Sequence, residues 1–160
     1  MDFEKRLEKA IERGQRRSAA RSEAEARRAL SEEELRRLHT KYRLELSEYV
    51  ADGLKKLAGH FPGFQFQEVV RDRGWGAAVR RDDVEIDRHH RSNLFSQLEL
   101  LITPFGKYQV LEMVAKGTIR NKELFNRTFY QRLDQADPSS FTEMIDLWII
   151  EYAEQFAGRK

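Results

Sequence analysis

Apolar positions along the chain hold one spacing over long stretches and then change it, and those changes divide the 160 residues into segments. From Asp2 to Ala29 nearly every residue is a good helix former, with Gly14 the only interior weakness and no Pro. Phe3, Leu7 and Ile11 recur every fourth position, and the same face continues as Gly14, Ser18, Ser22 and Ala29. On a helical wheel Arg13, Arg16, Arg17, Arg21, Arg27 and Arg28 fall within an arc of about 140°. The spacing predicts a helical arm over residues 1–30, small on one side and cationic on the other.

A second helix is expected to start at Ser31. Ser31 is a good N-cap, Glu34 completes a capping box three residues on, and Leu30 and Leu35 have the spacing of a hydrophobic staple. Leu35, Leu38, Tyr42, Leu46, Tyr49, Val50, Leu54 and Leu57 then form a stripe at intervals of three and four. Gly59 stands where a left-handed terminal residue is wanted and Pro62 lies just beyond, so the helix is read as 31–58. Its stripe is much stronger than that of the arm, which places the start of the folded domain near residue 31.

After Pro62 the period falls from near 3.6 to 2. Phe64, Phe66 and Val70 form one alternating run, Trp75, Ala77 and Val79 a second, and Val84 and Ile86 a third between Asp83, Glu85 and Asp87. Turn residues at 72–74 and 81–83 separate them. Leu94 to Thr103 and Lys107 to Ala115 read as a hairpin around Pro104-Phe105-Gly106, apolar on both faces and therefore central. Over 118–133, Phe125, Phe129 and Leu133 repeat every fourth position after a possible Asn121 cap, which favours strand, turn and then a short helix. Asp137 and Pro138 start a last helix, 138–157, with Phe141, Ile145, Trp148, Tyr152 and Phe156 on one face.

These elements define an α+β fold: an antiparallel sheet of four to six strands, two long helices (31–58 and 138–157) packed on one face, and an N-terminal helical arm. The domains are read as 1–30, the arm, and 31–160, one α+β domain. The order helix, sheet, helix resembles that of small bacterial chaperone and adaptor domains, a likeness of order and not of residue motif.

Composition narrows the chemistry. With no Cys there are no disulfides, thiolate metal sites or cysteine nucleophiles, which suits a reducing compartment. The N-terminus has no apolar core of signal-peptide length and no window approaches a membrane span, so a cytoplasmic protein without membrane contact is expected. Net charge is only +2, so charge distribution matters more than its total. Twenty of the 29 basic residues are Arg, which codon bias accounts for as readily as bidentate recognition does.

Three constellations are candidates for function. Asp83, Glu85, Asp87 and His89 would share one face of an extended strand and offer oxygen and nitrogen ligands to a divalent metal. Same-face neighbours on a strand lie about 6.6–6.8 Å apart, too far to share one ion without a bulge. The simpler expectation is a solvated face with Val84 and Ile86 pointing inward. His89 and His90 are paired in sequence, yet adjacent strand side chains diverge. Trp75, between Gly74 and Gly76 in a basic neighbourhood that includes Arg73, together with Arg13, Arg17 and Arg21, could hold single-stranded nucleic acid by stacking and phosphate contacts. The small face Gly14, Ser18, Ser22 and Ala29 would let another helix approach, and such an arm is marginal alone. There is no Gly-rich phosphate loop, nucleophile elbow or His-Glu metal helix.

The leading expectation is a non-enzymatic protein-interaction module, adaptor- or chaperone-like, that self-associates, with a dimer as the simplest state, and binds a protein partner without a cofactor. RNA or single-stranded nucleic-acid binding through the arm and the Trp75 loop stands second. A metal-dependent enzyme at Asp83, Glu85, Asp87 and His89 stands third.

Overall fold

The computed structural model describes residues 2–159, except for the side chains of residues 28–30. The chain forms two compact units that divide between Arg37 and Leu38. Helix α1 spans Phe3–His60 and runs through Ser31 without a break, so no helix starts there. Between Gly14 and Gly53 there is neither Gly nor Pro, and a capping box favours a helix start but cannot force one inside a run of good helix formers. Glu32 pairs with Arg36 at 3.4 Å and Glu33 with Arg37 at 2.9 Å, which fits this stretch to helix interior. The Leu30 half of the expected staple, like Ala29 of the small face, falls among the side chains that lie outside the described residues.

In the second unit Leu46, Val50, Leu54 and Leu57 turn the inner face of α1 into the core at helical spacing. Five strands follow: β1 Gln65–Arg71, β2 Gly74–Asp87, β3 His90–Ile102, β4 Val110–Ile119 and β5 Lys122–Arg132. They form one antiparallel sheet in the order β1-β2-β3-β4-β5, each strand beside its sequence neighbour. A short 3-10 turn, Leu133–Gln135, leads to helix α2, Pro138–Gly158. Asp137 caps α2, its carboxylate accepting from the Ser139 amide at 3.1 Å, with Pro138 in the first turn.

The helices cover one face of the sheet. Ala77, Val79, Leu98, Leu100, Ile102, Met113 and Ala115 are buried there against Phe141, Ile145, Trp148 and Tyr152 of α2 and the α1 stripe. Val69, Ala78 and Leu101 point to the opposite face, where they form a small apolar patch with Val114. Gly53 lets the two helices meet, since a Cβ there would lie 2.8 Å from the Ile149 side chain.

Four local expectations are corrected. The turn expected at 81–83 is the middle of the 14-residue β2, where Arg80–Asp82 (3.1 Å) and Arg81–Asp83 (3.0 Å) pair along the strand. The β2–β3 hairpin therefore runs past its neighbours: pairing with β1 stops at Arg80 and pairing with β4 stops at Gln97. Val84 and Ile86 lie on this extension, beyond the pairing with β1 and β4, and are 49% and 76% exposed rather than inward-facing. Residues 122–132, expected to turn helical, form β5. A repeat of four satisfies a strand as well as a helix, so Phe125 and Phe129 share a strand face. Asn121 is a turn residue with φ 70° rather than a cap; its Oδ1 accepts from the Phe95 amide and its Nδ2 donates to the Asn93 carbonyl.

Candidate partner-binding groove

Among the described residues β1 is an edge strand with β2 as its only strand neighbour, so its outer row of backbone N–H and C=O groups has no strand partner there. Helix α1 runs alongside, and between them lies a groove of about 350 Å³. Its helix wall presents Leu44, Ser47, Glu48, Ala51 and Asp52; its sheet wall presents Glu68, Val70 and Trp75. The heptad-like stripe that buries Leu46, Val50 and Leu54 leaves the neighbouring row facing this gap. Leu44 is 59% exposed and Val70 75%.

The charges of the groove are unevenly engaged. The Arg43 guanidinium lies over the Trp75 ring, 4.2 Å from its centroid, and Lys55 Nζ lies 5.0 Å from that of Phe66. Glu48, Asp52 and Glu68 make no ion pair among the described residues. Ser47 Oγ is buried with no hydrogen-bond partner among the described atoms. One turn before Arg43, His39 is buried; its Nε2 donates to the Thr103 carbonyl at 3.0 Å, and its ring meets Phe105 edge-on at 5.8 Å. Burial pushes its pKa below the usual imidazole value, the Thr103 bond works against that shift, and Arg43 adds to it.

A second cavity of about 430 Å³ lies on the open face of the sheet, lined by Arg71, Arg73, Arg80, Lys116 and Phe95 among others. Arg80 stacks over Phe95 at 4.7 Å and pairs with Asp82, while Arg71 reaches Glu99 at 3.8 Å.

The residues singled out in the sequence are dispersed. Trp75 is partly buried on the helix-covered face, whereas Arg73 sits in the β1–β2 turn and borders the opposite face, so the two do not make one platform. Arg13, Arg17 and Arg21, with Gly14, Ser18 and Ser22, are exposed along α1 in the first unit. Asp83 pairs with Arg81, while Glu85, Asp87 and His89 are exposed. Among the described residues no group of three or more His, Asp or Glu side chains is placed to hold a metal ion, and no helix is long and apolar enough to cross a membrane. Sequence reasoning did not single out Glu48, Asp52 and Glu68. Glu48 and Asp52 read as the solvated back of a helix, and only the strand order shows that Glu68 faces them across a free edge.

The chain matches no family model, no curated protein and no solved structure.

Proposed function

We propose that the protein is a non-enzymatic, self-associating protein-interaction module that takes an extended segment of a protein partner along β1. The observation that carries this reading is the unpaired outer edge of β1 opening onto the groove beneath α1. A sixth strand added there would gain main-chain hydrogen bonds, and its alternate side chains would enter the groove beside Val70 and Trp75. Glu48, Asp52 and Glu68 favour a segment with basic side chains, since the resident cations Arg43 and Lys55 are held over rings. Screening a display library of extended peptides against the protein tests the reading. Enrichment of sequences that alternate apolar and basic residues is expected, and equal enrichment on Glu48→Lys/Asp52→Lys protein defeats it.

A second reading, single-stranded nucleic acid on the open sheet face, is favoured by Arg80 stacked on Phe95 with Arg71, Arg73 and Lys116 around them. Glu99 and Glu123 in the same cavity and the ion pairs of Arg71 and Arg80 weaken its field, so it ranks second.

A further inference from the structure

We propose that residues 3–23 of α1 pair in parallel and in register with the same residues of a second copy of the chain, which rests on and specifies the self-association in the reading above. Every described residue from Asp2 to Glu23 is exposed, including Phe3 at 75%, Leu7 at 46% and Ile11 at 52%. A helix that exposes its only large apolar residues is marginal in water and gains most from a partner that covers them.

The spacing defines the face that would be covered. Phe3, Leu7, Ile11, Gly14, Ser18 and Ser22 are separated by four, four, three, four and four residues, so the pattern repeats every 11 positions. An 11-residue repeat holds about 3.67 residues per turn and keeps one stripe on one side of a nearly straight helix. Gly14, Ser18 and Ser22 then allow close approach along the second half of the contact, and a Cβ at Gly14 would meet nothing within 4 Å in the single chain.

The two flanks of that stripe carry opposite charge, and this selects both the partner and its direction. At about 100° per residue, Glu4 and Glu8 lie within about 90° of the stripe's centre on one side and Arg6, Arg17 and Arg21 within about 110° on the other. In a parallel pair related by a two-fold axis along the helices, the acidic flank of each copy faces the basic flank of the other. Arg6 is then level with Glu4 and Glu8 of the second copy, within about 3 Å of axial rise of each. In an antiparallel pair like flanks would meet, Glu against Glu and Arg against Arg. Among the described residues Glu4, Glu8, Arg6, Arg17 and Arg21 make no ion pair within the chain, so the flank charges remain available for pairing between copies.

The absence of Cys makes the test direct. In the 160-residue chain, Leu7→Cys and Ser22→Cys should each form a disulfide-linked dimer under mild oxidation, because parallel pairing brings each position to its own copy. Arg16→Cys, on the opposite side of the helix, should not. Wild-type protein should show twice the chain mass by light scattering. A dimeric mass with cross-linking at only one of the two stripe positions, at neither, or equally at Arg16→Cys overturns parallel pairing and leaves self-association standing. A monomeric wild type at high concentration overturns both.

Discussion

His39 Nε2 donates to the Thr103 carbonyl oxygen across 3.0 Å, so a buried imidazole fastens helix α1 to the loop between β3 and β4. Its pKa is lowered by burial, with Arg43 adding to the shift and the Thr103 bond opposing it. Between that lowered value and the ordinary one near 6.5, the unfolded chain binds a proton that the folded chain does not. Stability therefore falls as pH drops through that window and levels off below the folded value. His39→Gln should flatten this part of the stability–pH curve, measured by denaturant unfolding at several pH values. His39→Leu, which leaves the Thr103 carbonyl unpaired, should cost about 1–3 kcal/mol at neutral pH.

Tyr152 makes a comparable tie on the other side of the core. Its hydroxyl donates to the Thr118 carbonyl at 2.8 Å, the side chain is fully buried, and burial pushes its phenol pKa well above the usual range. Gly117 is the neighbour that makes room, since a Cβ there would lie 3.1 Å from the Phe125 ring and 3.2 Å from that of Tyr152. Tyr152→Phe should destabilise by about 1 kcal/mol through loss of this buried hydrogen bond. Gly117→Ala should cost about 1–3 kcal/mol through overpacking. The two changes touch the same contact, so their sum should exceed the double mutant's loss, which a double-mutant cycle in urea measures.

The apolar periods carried the class of fold: a 3.6 period, then a 2 period, then a 3.6 period again, giving helix, sheet, helix. What they did not carry were boundaries and chain pairing. Ser31 and Glu34 are a competent helix start, but the helix passes through because no breaker precedes them. Phe125 and Phe129, four apart, fit helix and strand alike; only pairing with β4 decides between them. The site was the least legible part. Glu48, Asp52 and Glu68 meet around the groove only because β1 ends up at the sheet edge under α1, a consequence of strand order that no local pattern encodes.

Every buried hydrophobic residue among the described ones lies at Leu46 or beyond, and the second compact unit begins at Leu38. A chain starting at Leu38 should therefore keep its core. It should unfold cooperatively, with a thermal midpoint within a few degrees of the 160-residue chain measured at low concentration. Loss of the cooperative transition would show that residues 1–37 take part in the stability of the second unit.

The groove and the open sheet face make opposite demands on charge, which separates the two functional readings in one set of variants. Arg73 and Lys116 line only the open face, while Glu48 and Asp52 line only the groove. All four side chains are exposed, and substitutions at such surface positions usually change stability by no more than about 0.5 kcal/mol. Glu48→Lys/Asp52→Lys should remove binding of basic extended peptides selected on the wild type, while Arg73→Glu/Lys116→Glu should leave that binding unchanged. Trp75→Ala should mainly lower the melting temperature, because the ring is partly buried under Arg43 and its removal opens a cavity. Fluorescence titrations with peptide and with oligouridylate at two salt concentrations read both outcomes. Oligouridylate binding that weakens with salt and is lost in Arg73→Glu/Lys116→Glu would move the binding surface to the open face and put nucleic acid in place of a protein segment.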